Sequence, residues 1–344
     1  MSTTPTMAYF YPPGHAAHAQ PRHPESPERV EIIQAALAEA GWLEQFSHLT
    51  ALEVPRTLLE AVHQPAYLSL LEMACRRGKG YLDGDTYFTP DSWRLALQAA
   101  GGALAVAQAV WQGTAQRGFA LTRPPGHHAR PGQGMGFCLL NNIALAAEGL
   151  LQSGARRLAI VDLDLHHGNG TQEIFWQRDD VFFISTHQQP FYPGSGDLEE
   201  TGAGRGSGCT ANFPLPPYSG DRAFQQIMDG LILPLLERYQ PEMVLVSYGY
   251  DPHWRDPLGS LLLSADGYGH LAAKLAGWAD QHCAGKIAWF LEGGYDEDAA
   301  QACSLAVVAA LMGASWKDPL GAAPFPETQS WQRMVDHALR IWRL

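Results

Sequence analysis

The chain has 344 residues, 46% hydrophobic and 17% charged, which is enough apolar material for a large core and too little charge for a disordered polymer. Its formal charge of -12 repels phosphate backbones and argues against nucleic acid as a partner. The 35 glycines and 24 prolines follow no period, so they point to many shaped loops rather than a fibrous repeat.

In chain order, Met1 to Gly14 lacks a basic n-region and a continuous apolar stretch, so no secretory signal is expected. His15, His18 and His23 follow in a loop, where histidines are usually solvated. Helical spacing then recurs over 27–40, 93–111, 140–152, 222–239, 265–281 and 299–312. The last is the longest weakly polar run, but it falls short of the roughly 20 residues a membrane span needs and reads as a buried core helix. Membrane association is therefore not expected.

Short apolar runs at 119–121, 158–161, 181–184, 243–246 and 286–291 are apolar at nearly every position, as parallel strands covered on both faces are. From about Phe119 onward they alternate with the helices in a βαβ pattern. No linker or repeat divides the chain, so a single domain is expected. The five cysteines are odd in number, widely spaced and without a C-x-x-C pair, which disfavours disulfides and suits a reducing, cytoplasmic setting.

Polar clusters follow the apolar runs: RPPGHHA (123–129), DLDLHHGNGTQ (162–172), STH (185–187), YGYDPHWRDPLG (248–259) and EGGYDED (292–298). Ligands of open parallel sheets bind beyond the carboxyl ends of the strands, so the five clusters are expected on one rim.

In an extended Asp162-Leu163-Asp164-Leu165-His166 segment, the two carboxylates and the imidazole share one face. Two gathered anions call for compensation, and a divalent metal supplies the most, although a hydrogen-bond network or helix caps would use the same residues. A catalytic zinc takes three protein ligands and keeps one position open. Asp164 and His166 offer two, and Asp251, which follows the apolar run 243–246 in the same way, is a candidate for the third, though a turn Asp before Pro252 would look alike. One His and two Asp suit either zinc or Fe(II). His127 and His128 follow the rigid turn Pro124-Pro125-Gly126 and titrate near neutrality, as general acid–base work needs. Tyr295, after Gly293-Gly294, can bring a phenol donor to an oxyanion.

Taken together, RPPGHHA, GFCLLNN (136–142), VDLDLHHGNGTQ (161–172), YPGSG (192–196), SYGYDPHWRDPLG (247–259) and LEGGYD (291–296) resemble the zinc-dependent histone deacetylase family. That family includes acetoin-utilisation proteins and acetylpolyamine amidohydrolases. The likeness runs from about residue 9 to 313, leaving 314–344 as a C-terminal extension of one deacetylase domain, 1–344. HPESPER (23–29) is similar to bacterial and class II members.

The resemblance implies an α/β arginase/deacetylase fold, with a central, mostly parallel eight-stranded sheet flanked by helices. It implies one Zn2+ per chain on Asp164, His166 and Asp251, with His127 and His128 as the acid–base pair. Tyr295 is implied as the oxyanion donor, Asp162 as the partner of His127, and Asn169 as the residue facing His128. Some relatives have Asp in the place of Asn169; an amide raises basicity less, so His128 is expected to be less readily protonated here. Gly136, Phe137, Tyr192 and Leu258 match the family's acyl-lysine tunnel, and Asp162, Asp164, His166, Ser185 and Thr186 resemble a K+ site. Tyr248 and Tyr250 depart from the usual Ala and Phe, which is expected to change local packing or the acetate-release cavity.

The implied activity is removal of acetyl or other acyl groups from lysine side chains of a protein or peptide, with homo-oligomerisation left open. Leu258 favours that substrate, because a polyamine-selective branch carries a carboxylate there. The alternatives are hydrolysis of acetylpolyamines or other small acyl-amides, non-hydrolytic acyl-lysine binding, and a manganese ureohydrolase. The last would want further Asp/His pairs at the strand ends.

Overall fold

Apolar runs alternating with long helices can bury both faces of each strand only if the strands lie side by side with helices above and below. The computed structural model describes residues 6–344 and has that arrangement. Its strands are β1 (Met7–Phe10), β2 (Phe46–His48), β3 (Gly80–Tyr81), β4 (Tyr87–Phe88), β5 (Arg117–Ala120), β6 (Leu158–Asp162), β7 (Val181–Gln188), β8 (Thr210–Leu215), β9 (Met243–Tyr248) and β10 (Ile287–Leu291). β3 and β4 form a small antiparallel hairpin. The other eight make one all-parallel sheet in the order β2-β1-β5-β10-β9-β6-β7-β8.

The helices are α1 (Glu28–Glu39), α2 (Arg56–Val62), α3 (Pro65–Arg77), α4 (Ser92–Trp111), α5 (Asn142–Gln152), α6 (Asn169–Phe175), α7 (Asp221–Ile227), α8 (Leu233–Tyr239), α9 (Ala265–His282), α10 (Glu297–Met312) and α11 (Gln332–Trp342). Helices α2 to α5 cover one face of the sheet; α1 and α7 to α11 cover the other. Each strand feeds both layers by its period of two: Leu158 and Ile160 of β6 enter the first, Ala159 and Val161 the second. No helix among the described residues is long and apolar enough to cross a membrane, and all five cysteines are unpaired.

Several expectations change. β7 runs to Gln188, four residues past the expected end, so the STH cluster lies inside a strand rather than after one. β1, β2 and β8 carry too little pattern to stand out; β8 even holds Pro214, which an edge strand tolerates. The helix expected over 222–239 runs without a gap from Asp221 to Tyr239 but widens to a π turn at Met228–Ile232, just before Pro234 of α8, whose ring cannot serve a regular helix interior. His15 and His18 are buried, not solvated. His15 meets Tyr11 Oη at 2.8 Å, and His18 meets Ser92 Oγ at 2.6 Å while stacking on Tyr87.

β5, β10, β9, β6 and β7 are consecutive neighbours in the sheet. The carboxyl ends of β5, β10, β9 and β6 therefore bring four of the five polar clusters to one crevice, while STH stays within β7 beside them.

Candidate active site

Past Asp162 the chain leaves β6 yet keeps alternating: Leu163 and Leu165 bury in the helix layer, while Asp164 and His166 face the crevice. His166 Nδ1 lies 3.2 Å from Asp164 Oδ1 and 3.2 Å from Asp251 Oδ2. Asp164 Oδ2 accepts from Gly293 N at 2.8 Å and Asp251 Oδ1 from Leu165 N at 3.1 Å, so the backbone aims the remaining oxygens at one point. Asp251 Oδ2 is buried without a hydrogen-bond partner, a costly state that a bound cation would relieve. A Cβ at Gly293 would collide with that oxygen, and one at Gly249 with Asp164. The field there favours positive charge. Burial opposes protonation of His166, yet Asp164 and Asp251 push it up to about 9. Three donors from two segments, Asp164 and His166 on one and Asp251 on the other, with small residues around them, fit a zinc-like ion.

The tandem histidines sit beside this triad with ring centroids 4.1 Å apart. His127 Nδ1 donates to Asp162 Oδ2 at 3.0 Å, and His128 Nδ1 donates to Asn169 Oδ1 at 2.7 Å. Each Nε2 is thereby left for chemistry in the pocket. Burial works against charge on both. For His127 the Asp164 and Asp162 carboxylates outweigh it and push the imidazole up to about 10. For His128, burial and the neighbouring His127 and His166 hold it well below the ordinary value, with Asn169 offering only partial relief.

Glu292 was not singled out by sequence reasoning. Its Oε2 accepts from Gly126 N at 2.6 Å and His127 N at 3.1 Å, and Ser247 Oγ donates to Oε1 at 3.2 Å. It anchors the backbone that carries both histidines, and burial pushes it up to about 7. His127, Cys138 and Glu292 also lie close together, but those donors already fill the carboxylate.

Tyr295 lines the same cavity, of about 430 Å³, together with His127, His128, Asp164 and His166. Burial raises its phenol well above the ordinary range, so the hydroxyl keeps its proton as a donor. Asp256, another residue missed, accepts from Tyr295 N at 2.6 Å and Leu258 N at 3.0 Å. The only hint was its place in the DPLG turn.

Gly136, Phe137, Tyr192 and Leu258 all line the cavity, joined by Phe191, whose ring lies 5.4 Å from His166. Phe137 is held at φ 67° with its N–H donating to Thr86 Oγ1 at 3.1 Å. Gly136 also has a positive φ of 56°, and a Cβ there would strike the His128 ring. Ser185 Oγ is engaged with His187 Nδ1 at 3.0 Å and Thr186 Oγ1 donates to the Asp162 carbonyl at 3.4 Å. Of the two tyrosine departures, Tyr248 points away from the crevice into the helix layer, edge-on to Tyr268 and 3.3 Å from Ser304 Oγ. Tyr250 packs beneath Gly294 and under the Arg29 guanidinium. The effect of Tyr248 is thus on packing.

Comparison with known proteins agrees with this geometry. The histone deacetylase domain profile matches residues 23–311. The chain belongs to the histone deacetylase family. It is 43% identical over 297 residues to a probable deacetylase of Archaeoglobus fulgidus, covering 85% of this chain and 82% of that one. It is 38% identical over 322 residues to the histone deacetylase-like amidohydrolase of Pseudomonas aeruginosa, covering 92% and 83%. The crystal structure of the HDA15 HD domain superposes with a TM-score of 0.90 at 33% identity, covering 98% of this chain and 95% of the other. Membership of this family of deacetylases and amidohydrolases implies hydrolase activity.

Proposed function

We propose that the protein is a zinc-dependent amidohydrolase that removes acetyl or other acyl groups from lysine side chains of proteins, acting in the cytoplasm. The observation that carries this reading is the convergence of Asp164, His166 and Asp251 with His127, His128 and Tyr295 in one aromatic-walled cavity. Asp164, His166 and Asp251 would hold the zinc, which supplies Lewis-acid activation of the amide carbonyl and of water. His128, kept neutral and oriented by Asn169, takes the water proton at Nε2. His127, kept protonated beside Asp162, gives a proton to the departing amine. The Tyr295 hydroxyl donates to the oxyanion of the tetrahedral intermediate. Phe137, Phe191 and Tyr192 enclose the methylene stem and exclude water.

Leu258 in the wall offers no charge to a distant ammonium, which supports acyl-lysine over an acetylpolyamine. Side-by-side acetate release from an acetyl-lysine peptide and from acetylated spermidine tests the choice. Faster turnover of the peptide is expected; a large preference for the polyamine would overturn it. No release from either would favour an acyl-lysine binding protein.

A further inference from the structure

The carboxylate of Glu25 is fully buried, lies outside the reaction cavity and has no part in the chemistry above. Taking a charge out of water is costly unless partners compensate, and Glu25 is closely partnered. Arg123 grips it through two bonds, Nε to Oε1 at 2.7 Å and Nη2 to Oε2 at 3.0 Å. Tyr87 Oη donates to Oε2 at 2.9 Å, and Arg29 Nη1 reaches Oε1 at 3.5 Å.

The two arginines lead to different catalytic loops. Arg123 begins the RPPGHH segment that ends in His127 and His128. Its remaining donors tie down the carbonyls of His15 at 2.8 Å and His18 at 2.7 Å. Arg29 donates to the carbonyls of Glu292 at 2.6 Å and Gly294 at 2.5 Å, on either side of Gly293, and its guanidinium lies 5.0 Å from the Tyr295 ring centroid. These contacts fix the backbone immediately before the phenol. One carboxylate therefore sits between the cation that roots the acid–base pair and the cation that roots the oxyanion donor.

We propose that Glu25 is a positioning residue that sets the spacing of the His127/His128 loop against the Gly293–Tyr295 loop by holding Arg123 and Arg29 together. The charge matters as well as the shape. A glutamine of the same size would turn an NH2 toward guanidinium donors and leave two buried cations facing each other uncompensated. Misplacement of about 1 Å far from the reacting atoms is enough to cost on the order of 100-fold in rate.

The inference rests on the hydrolase reading, so its test has one arm that needs no substrate. In Glu25→Gln, hydrogen–deuterium exchange should quicken in both 123–128 and 291–296; quickening in 123–128 alone would overturn the proposal. In the kinetic arm, kcat should fall about 10- to 100-fold with KM within about threefold and metal content unchanged. The loss should be smaller in a Tyr295→Phe background, because the part of it that acts through the phenol is already gone. Full additivity of the two losses would contradict the coupling. If Glu25→Gln fails to fold, Tyr87→Phe removes one bond from the same carboxylate and spares both ion pairs; it should show the same two-segment pattern, and its absence would count against the proposal. Wild type that exchanges as expected but releases no acetate would overturn the hydrolase reading alone.

Discussion

On one side of the crevice, Asp164, His166 and Asp251 gather two carboxylates around a single imidazole. On the other side, Arg123 and Arg29 bring two guanidiniums around the single carboxylate of Glu25. Both regions are buried and both are charge-imbalanced, but in opposite senses. The first leaves a carboxylate oxygen without a partner, which marks a place for a cation. In the second every Glu25 and Arg123 contact is internal, which marks a brace. Charge that is incomplete serves chemistry; charge that is satisfied by its neighbours serves geometry.

The largest effect is expected at Tyr295, where the two regions meet. Tyr295→Phe should lower kcat by about 100- to 1000-fold while substrate binding persists, as loss of one oxyanion donor does elsewhere. Near-normal turnover would take the phenol out of the mechanism and leave Arg29 supporting an idle loop.

A smaller effect is expected at Asn169. Asn169→Asp places an anion where the amide oxygen meets His128 Nδ1 at 2.7 Å, and an anion favours the protonated imidazole. The His128 pKa rises from its depressed value, so the neutral base is lost at a higher pH as acid is added. The acidic limb of the kcat profile should therefore move upward by about 1 unit. An unmoved limb would mean that His128 is not the group being titrated.

The smallest effect is expected outside both regions. Tyr248→Phe removes a long 3.3 Å contact with Ser304 in the helix layer, so thermal unfolding should register about 1 kcal/mol or less and kcat should not change. A large loss of activity would place Tyr248 in the site after all.

The two regions also differ in how far they could be read before the structure. Asp164 and His166 stand two apart beside a strong apolar strand, so strand alternation alone put them on one face. Asp251, His127, His128 and Tyr295 each follow an apolar run, and the rule for ligands at the carboxyl ends of parallel strands brought them together. The family motifs added roles to those positions. Glu25 is 98 residues from Arg123, and Arg29 is 265 from Gly294; no local period links them, and only the folded sheet makes them neighbours. Glu292 and Asp256 escaped notice for a related reason: they act by accepting backbone N–H groups, and backbone donors leave no mark in a sequence. In the fold, the central strands stood out through unbroken apolar runs, whereas β8 with Pro214 and the short β1 and β2 did not. His15 and His18 looked like surface histidines because the polar network that buries them comes from Tyr11, Ser92 and Tyr87.

The proposed activity requires Asp164, His166 and Asp251 to hold one catalytic zinc. The most direct test measures bound metal and acetate release from an acetyl-lysine peptide on the same sample, before and after exhaustive chelation and again after zinc is restored. One zinc per chain, loss of turnover on its removal and recovery on its return are the predicted results. Undiminished turnover in protein shown to contain no metal would contradict the account.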